Sequence, residues 1–218
     1  MGLTHHNEGG TSGPDMPGAV AAPRTVVGPT CAADAEGMLV RIATTSDEAL
    51  AYDLVCELEQ TRLDREGFSR AWRAQRAGDG FVCLIAYEAG EGDAGTDATL
   101  APEPDASADA ELALPADGRV LGMLNLRLEW QLHHAARIAE VMELVVVPEA
   151  RSRGVGALLF RTACEHARAD GCVQVEVACN KLREGAHRFY AREGMRNFHD
   201  KLTMPLSGEA PTDNRLGI

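Results

Sequence analysis

One stretch, Glu140 to Gly171, leaves the chain few ways to fold: E-V-M-E-L-V-V-V-P-E-A-R-S-R-G-V-G-A-L-L-F-R-T-A-C-E-H-A-R-A-D-G. It opens with an apolar, β-branched run (Val141, Leu144 to Val147) that reads as a buried strand, and Pro148 closes it because proline cannot donate to a ladder. A helix must follow, since Val155, Leu158, Leu159, Ala163 and Ala167 recur at helical spacing and Gly171 stands where a left-handed cap ends it. Between them lies R-S-R-G-V-G, where Gly154 and Gly156 remove side chains that would keep a bulky anion from the backbone. The first turn of a helix leaves N–H groups unpaired, and with the macrodipole they suit a phosphate or pyrophosphate. Arg151 and Arg153 add charge to that end. No G-K-[ST] follows, so this is not the Walker loop, and the third glycine of the dinucleotide fingerprint is missing.

Composition narrows the class. A chain of 218 residues with 45% hydrophobic and 25% charged content suits one soluble α/β domain with tails. No apolar run approaches a membrane span and the first residues lack a signal-peptide core, so a cytoplasmic protein is expected. Six cysteines at irregular spacing, with no C-x-x-C, point to buried thiols rather than to disulfides or zinc. The net charge of −12 resides entirely in residues 1 to 38 and 88 to 118; the rest of the chain is neutral. With no basic face, nucleic acid is not an expected partner.

In chain order, residues 1–37 read as a disordered leader, 38–206 as the folded domain, 88–118 as an acidic insertion without structure of its own, and 207–218 as a tail. Strands are expected at Met38 to Ala43, Phe81 to Glu88, Val120 to Trp130, in the organising run, at Val173 to Cys179 and at Phe198 to Leu206. Helices are expected from Thr45 or Ser46 to about Leu58, from Arg65 to Arg76, after the glycine turn, and from Arg183 to Glu193. That order makes an α/β domain with a mixed central sheet flanked by helices.

The organising stretch resembles the acetyl-CoA-binding core of the GNAT family of N-acetyltransferases, whose signature is a strand, then R/Q-x-x-G-x-G/A, then a helix; Arg151, Gly154 and Gly156 match it position by position. The resemblance implies the acyl-CoA N-acyltransferase fold, with pantetheine lying along the strand at Leu144, Val145 and Val146. It places the pyrophosphate on the turn formed by Arg151, Ser152, Arg153, Gly154, Val155 and Gly156. Over about residues 39 to 87 and 119 to 206 the chain is further similar to the aminoalkylphosphonate N-acetyltransferases. The pieces are C-E-L-E-Q-T-R-L-D-R-E-G-F, V-L-G-M-L-N-L-R-L, Q-L-H-H and N-K-L-R-E-G-A-H-R-F-Y-A-R-E-G. That likeness implies a small-molecule amine as partner, favours an aminoalkylphosphonate, brings in a divalent metal, and puts Glu57 and Asp64 beside the acceptor. Other acceptors (a polyamine, an aminoglycoside, a protein N-terminus) and a catalytically silent acetyl-CoA sensor stay open, as does a homodimer.

The chemistry requires a base, because an alkylammonium must lose a proton before it attacks a thioester. Glu140 and Glu143 are the candidates; three apart on a regular strand they face opposite sides, and only a bulge lets both reach one pocket. Tyr190 matches the tyrosine that many relatives place beside the departing sulfur. His133 and His134 fall where the chain turns over the acceptor site, and with a neighbouring carboxylate they offer mixed N/O ligands, His134 being the candidate for a metal. Arg183 stands where many relatives carry an asparagine that holds CoA; it contacts cofactor or phosphonate, or simply opens the helix.

Overall fold

The computed structural model describes residues 37–88 and 118–206. The leader, nearly all of the acidic insertion and the tail, with Cys31, lie outside the described residues. Five strands, β1 (Met38–Ile42), β2 (Phe81–Glu88), β3 (Arg119–Gln131), β4 (Ala136–Val146) and β5 (Cys172–Val177), form one sheet in sequence order. Pairing is antiparallel from β1 to β4 and parallel between β4 and β5, because α3 (Val155–Ala169) carries the chain across the sheet.

Alternation sorts the strands onto two faces. Leu124, Leu126, Leu128, Ala139 and Val141 meet α3 through Val155, Leu159, Phe160 and Ala163, and α4 (Glu184–Arg192) adds Phe189 and Tyr190 to that layer. Cys83, Ile85, Met123 and Val145 meet α1 (Glu48–Glu59) and α2 (Arg65–Arg76) through Leu54 and Trp72. The α2 boundary follows from chemistry: Asp64 accepts hydrogen bonds from the N–H groups of Glu66 and Gly67, at 3.3 and 2.8 Å. The N-cap position of α1 is Asp47, later than the Thr45 or Ser46 that the sequence suggests, because a separate turn comes first. Thr45–Asp47 forms a short 3-10 turn, and Asp47 Oδ2 accepts the Thr44 N–H at 2.7 Å. At Gly122 a Cβ would come within 2.5 Å of the Val145 carbonyl, so glycine is what allows β3 to approach β4 there.

Two strand expectations change. The fourth strand begins at Ala136 rather than Val141, because it continues the hairpin from β3 through Arg137↔Trp130. The expected last strand, Phe198 to Leu206, is not a strand. Its apolar residues alternate as a strand's would, yet Phe198, Leu202, Met204 and Leu206 are exposed, Leu202 at 92%. Alternation supplies no partner, and Pro205 lacks a ladder N–H; the segment is held instead by ion pairs from Lys181 to Asp200 and Lys201 to Glu140.

Among the described residues the five cysteines are free, Cys56 and Cys83 buried and the others half-buried. No described helix is long and apolar enough to cross a membrane.

Candidate acetyl-transfer site

The site is built where β4 breaks its regularity. β3 and β4 pair Asn125 with Glu143 and then Leu126 with Val141, so Met142 is an extra residue opposite nothing. Cross-strand partners share a face, and Asn125 and Arg127 lie two apart on β3. Their partners Glu143 and Glu140 therefore emerge on the same face, the one covered by α1 and α2, as the bulge condition requires. At the same place β5 leaves: β4–β5 pairing ends at Val141↔Val177. Beyond it, the outer edge of β4 from Met142 to Val146 has no ladder partner among the described residues, and Arg151 Nε donates to the Val146 carbonyl at 3.2 Å.

The turn leads that open edge into α3. Gly154 caps the helix at φ 88°, a conformation glycine adopts without strain, and no side chain closes the cap. No acid occupies the first turn of α3. Ser152 also has positive φ, at 63°. A Cβ on Gly156 would lie 3.5 Å from Phe189, which is ordinary contact, so the glycine is not demanded by packing inside the chain. These features fit the diphosphate of acetyl-CoA: helix-start amides with no side-chain cap, no acid in the first turn of α3, and an open strand edge leading away. Leu144 and Val146 pack partly into the α3 layer, while the side chains of Val145 and Val155 are buried core, leaving their backbone for a ligand. Arg153 pairs with Glu88 of β2. Arg151 pairs with Glu57 of α1 at 3.5 Å, both half-exposed, so two residues proposed for different ligands meet each other.

The two glutamates have different surroundings. Glu140 Oε2 meets Arg127 Nη2 and its Oε1 meets Lys201 Nζ at 3.5 Å, so a cation occupies each oxygen. Among the described residues Glu143 accepts one hydrogen bond, from Asn125 Nδ2 at 2.8 Å. Burial pushes the Glu143 carboxyl above the usual carboxylate range; the Asn125 hydrogen bond opposes this, and the nearby Glu59 adds to it. Tyr190 lies half-buried against Phe160 and Phe189, at 5.9 and 5.1 Å between ring centres. Burial, then the charge of Cys179, pushes its phenol up to about 12, with Arg183 opposing. Its hydroxyl has no hydrogen-bond partner among the described residues.

Arg183 precedes α4, and its Nη2 donates to the Leu58 carbonyl at 3.2 Å and lies 3.4 Å from Glu59. It ties α4 to the end of α1. Asp64 is spent on the α2 cap. His133 and His134 form the β3–β4 turn, with rings 4.2 Å apart; His134 Nε2 lies 3.7 Å from Glu176 on β5. Among the described residues no three of His, Cys, Asp and Glu come together to hold a cation, so a divalent metal finds no ligand set at His134. Residues that sequence reasoning missed are Asn125, Arg127, Gln75 and Lys201. The one legible signal was Asn125, a lone amide inside the apolar run of β3.

Known proteins resemble this chain in sequence and in fold. The pattern of the Acetyltransferase (GNAT) family matches residues 57–195. The aminoalkylphosphonate N-acetyltransferase of Salmonella typhimurium is 35% identical over 167 residues, covering 77% of this chain and 90% of that protein. A crystal structure of a transcriptional regulator from Bacillus halodurans superposes with TM-score 0.58 at 19% identity, covering 77% of this chain and 99% of the other. An acetyltransferase from Trypanosoma brucei superposes with TM-score 0.55 at 19% identity, covering 78% and 99%. At these identities the two structures speak for the fold alone. Together the glycine-capped helix, the bulged strand and the family match establish that the chain belongs to the acetyltransferase (GNAT) family and is an acetyl-CoA-dependent N-acetyltransferase.

Proposed function

We propose that the protein acetylates the primary amine of a small molecule, an aminoalkylphosphonate being favoured, with Glu143 as the base. The bulge at Met142 carries this reading, since it places Glu143 on the covered face at the point where β4 opens toward the cofactor. Acetyl-CoA supplies the acetyl group as a thioester; the chain holds it, takes one proton from the ammonium and steadies the departing sulfur.

The α3 amides and Gly154 take the diphosphate, and the free edge of β4 takes the pantetheine amides. Glu143 Oε accepts a proton from the ammonium, and the freed nitrogen lone pair attacks the thioester carbonyl to form the C–N bond. As the C–S bond breaks, the second N–H proton passes to the departing thiolate, leaving a neutral amide and the CoA thiol. Glu143 suits this better than Glu140 because its burial raises its proton affinity, whereas both Glu140 oxygens already face cations. Tyr190 answers the departing thiolate. With a phenol near 12 against a thiol near 8.5, full transfer is uphill, so Tyr190 serves as a hydrogen-bond donor to the sulfur.

The acceptor preference rests on the likeness to the Salmonella typhimurium enzyme. A second reading, a di- or polyamine, is favoured by the sheet face beside Glu143. There Glu140 lies opposite Glu176 on β5 and shares Arg127 with Glu129, Lys201 also meets Glu140, and Glu176 faces His134. We place the enzyme in the cytoplasm.

The test is thiol release from acetyl-CoA across aminoalkylphosphonates, diamines, aminoglycosides and peptides, with and without added divalent metal. Highest kcat/KM on an aminoalkylphosphonate supports the first reading, and on a diamine the second. Release with none of these amines removes both. In parallel, Gly154→Glu should abolish acetyl-CoA binding in calorimetry, by strain at φ 88° and by placing a carboxylate on the anion site.

A further inference from the structure

We infer that Asn125 is a positioning residue for the reaction: with Gln75 it fixes the Glu143 carboxylate and sets how tightly that group holds the proton it takes. The inference rests on Glu143 being the base. Asn125 is only 5% exposed, in the middle of β3. Its Nδ2 donates in two directions, to Glu143 Oε2 at 2.8 Å and to Gln75 Oε1 of α2 at 3.0 Å, while its Oδ1 is buried without a partner.

That pattern fixes the amide's orientation. Turned over, Oδ1 would face the Glu143 carboxylate, which has no proton to give when ionised, and Nδ2 would lose that bond; the Gln75 amide can present either end, so it follows Asn125 rather than fixing it. An N–H donor aimed at a carboxylate stabilises its charged form, while burial and Glu59 favour the neutral one. Asn125 is thus the counterweight that keeps a buried carboxyl able to give up its proton and begin another turnover.

The other groups around Glu143 do not supply this. From α1 comes Glu59, itself 3.4 Å from Arg183. From β2 comes Cys83, whose thiol burial pushes up to about 12, with Arg76 of α2 opposing and Glu143 adding to the rise. On the same face of β3, Arg127 is engaged by Glu140 and Glu129. Asn125 is the hydrogen-bond donor to the Glu143 side chain among the described residues.

Asn125→Leu keeps the branched outline of the side chain and removes the donor. Two measurements on the full chain then separate the inference from the reading beneath it. The first is a carbon NMR titration of glutamate-labelled protein, with the Glu143 signal assigned by its loss in Glu143→Gln. The second is the pH profile of kcat/KM. The Glu143 titration should move up by about one pH unit, the worth of a hydrogen bond to a charged group, and the acidic limb of the profile should move with it. Asn125→Gln, a longer amide, should restore part of the shift, and Gln75→Leu should loosen the amide with a smaller change. Should Asn125→Leu not fold, Asn125→Ser and Gln75→Leu carry the same titration. A Glu143 titration unmoved in the variants overturns the inference. A titration that moves while the acidic limb stays still overturns Glu143 as the base.

Discussion

Asp47 and Glu143 are both carboxylates shut in beneath α1 and α2, and both lie near enough to Cys83 to raise its thiol, yet they are driven in opposite directions. Burial pushes Asp47 upward, but two hydrogen bonds from Arg41, at 2.8 and 2.7 Å, and the Thr44 N–H at 2.7 Å outweigh it, and its carboxyl sits below the usual range. Glu143 has burial, one amide and a like-charged neighbour, and sits above it. A buried carboxylate with a fork of guanidinium bonds is a fixed charge and serves the fold. One left with a single neutral donor can exchange a proton, which is what acetyl transfer to an ammonium needs.

The sharpest way to break this contrast is to neutralise each acid in turn. Glu143→Gln should lower kcat/KM by roughly 10²- to 10⁴-fold, the usual worth of general-base catalysis, with acetyl-CoA affinity by calorimetry unchanged. Turnover near wild type would make Glu143 a second Asp47. Asp47→Ala should leave Arg41 buried without its counter-charge and cost about 3–5 kcal/mol in urea unfolding. Its pH dependence has a definite sign. Because folding lowers this carboxyl, its contribution is present above the unfolded aspartate value near 3.9 and is lost as pH falls through the lower folded value.

Tyr190 extends the comparison to a group whose charged form is penalised by burial without a partner. Tyr190→Phe should reduce kcat by about 10-fold, the loss of one hydrogen bond to the thiolate, and leave the acetyl-CoA Kd within twofold. A matched fall in affinity would instead mean that the hydroxyl holds the bound cofactor before any charge develops on the sulfur, while the ring, packed on Phe160 and Phe189, stays in place in the variant.

How much of this the sequence disclosed follows the same division. Local chemistry was legible. The helical run from Arg65 announced α2, the glycine turn announced the start of α3, and β-branched runs announced β2 and β4, whereas Asp64, expected beside the acceptor, caps α2 instead. Whatever depended on register was not. That Glu140 and Glu143 share a face hangs on one extra residue, Met142, which looks like any other in the strand. Asn125 was visible as an odd amide in an apolar run, but not its meeting with Gln75 fifty residues earlier in the chain. Arg41 and Asp47 likewise reveal nothing until β1 and the turn before α1 are side by side. The alternation at Phe198 to Leu206 misled for the converse reason, since a strand pattern is a property of one segment and a strand is a property of two.

The smallest effect separates the two acids most cleanly, because it predicts a gain. Folding raises the Glu143 carboxyl, so between the unfolded glutamate value near 4.3 and the higher folded value the native state binds more protons than the unfolded one, and stability falls as pH rises. Glu143→Gln removes that cost while keeping an acceptor for Asn125 Nδ2. The variant should therefore match wild type in acid and exceed it by on the order of 1 kcal/mol above the folded value, a size common for stabilising changes at functional sites. Thermal unfolding across that pH range reads it directly. A variant less stable than wild type throughout would mean that Glu143, like Asp47, is kept for the fold.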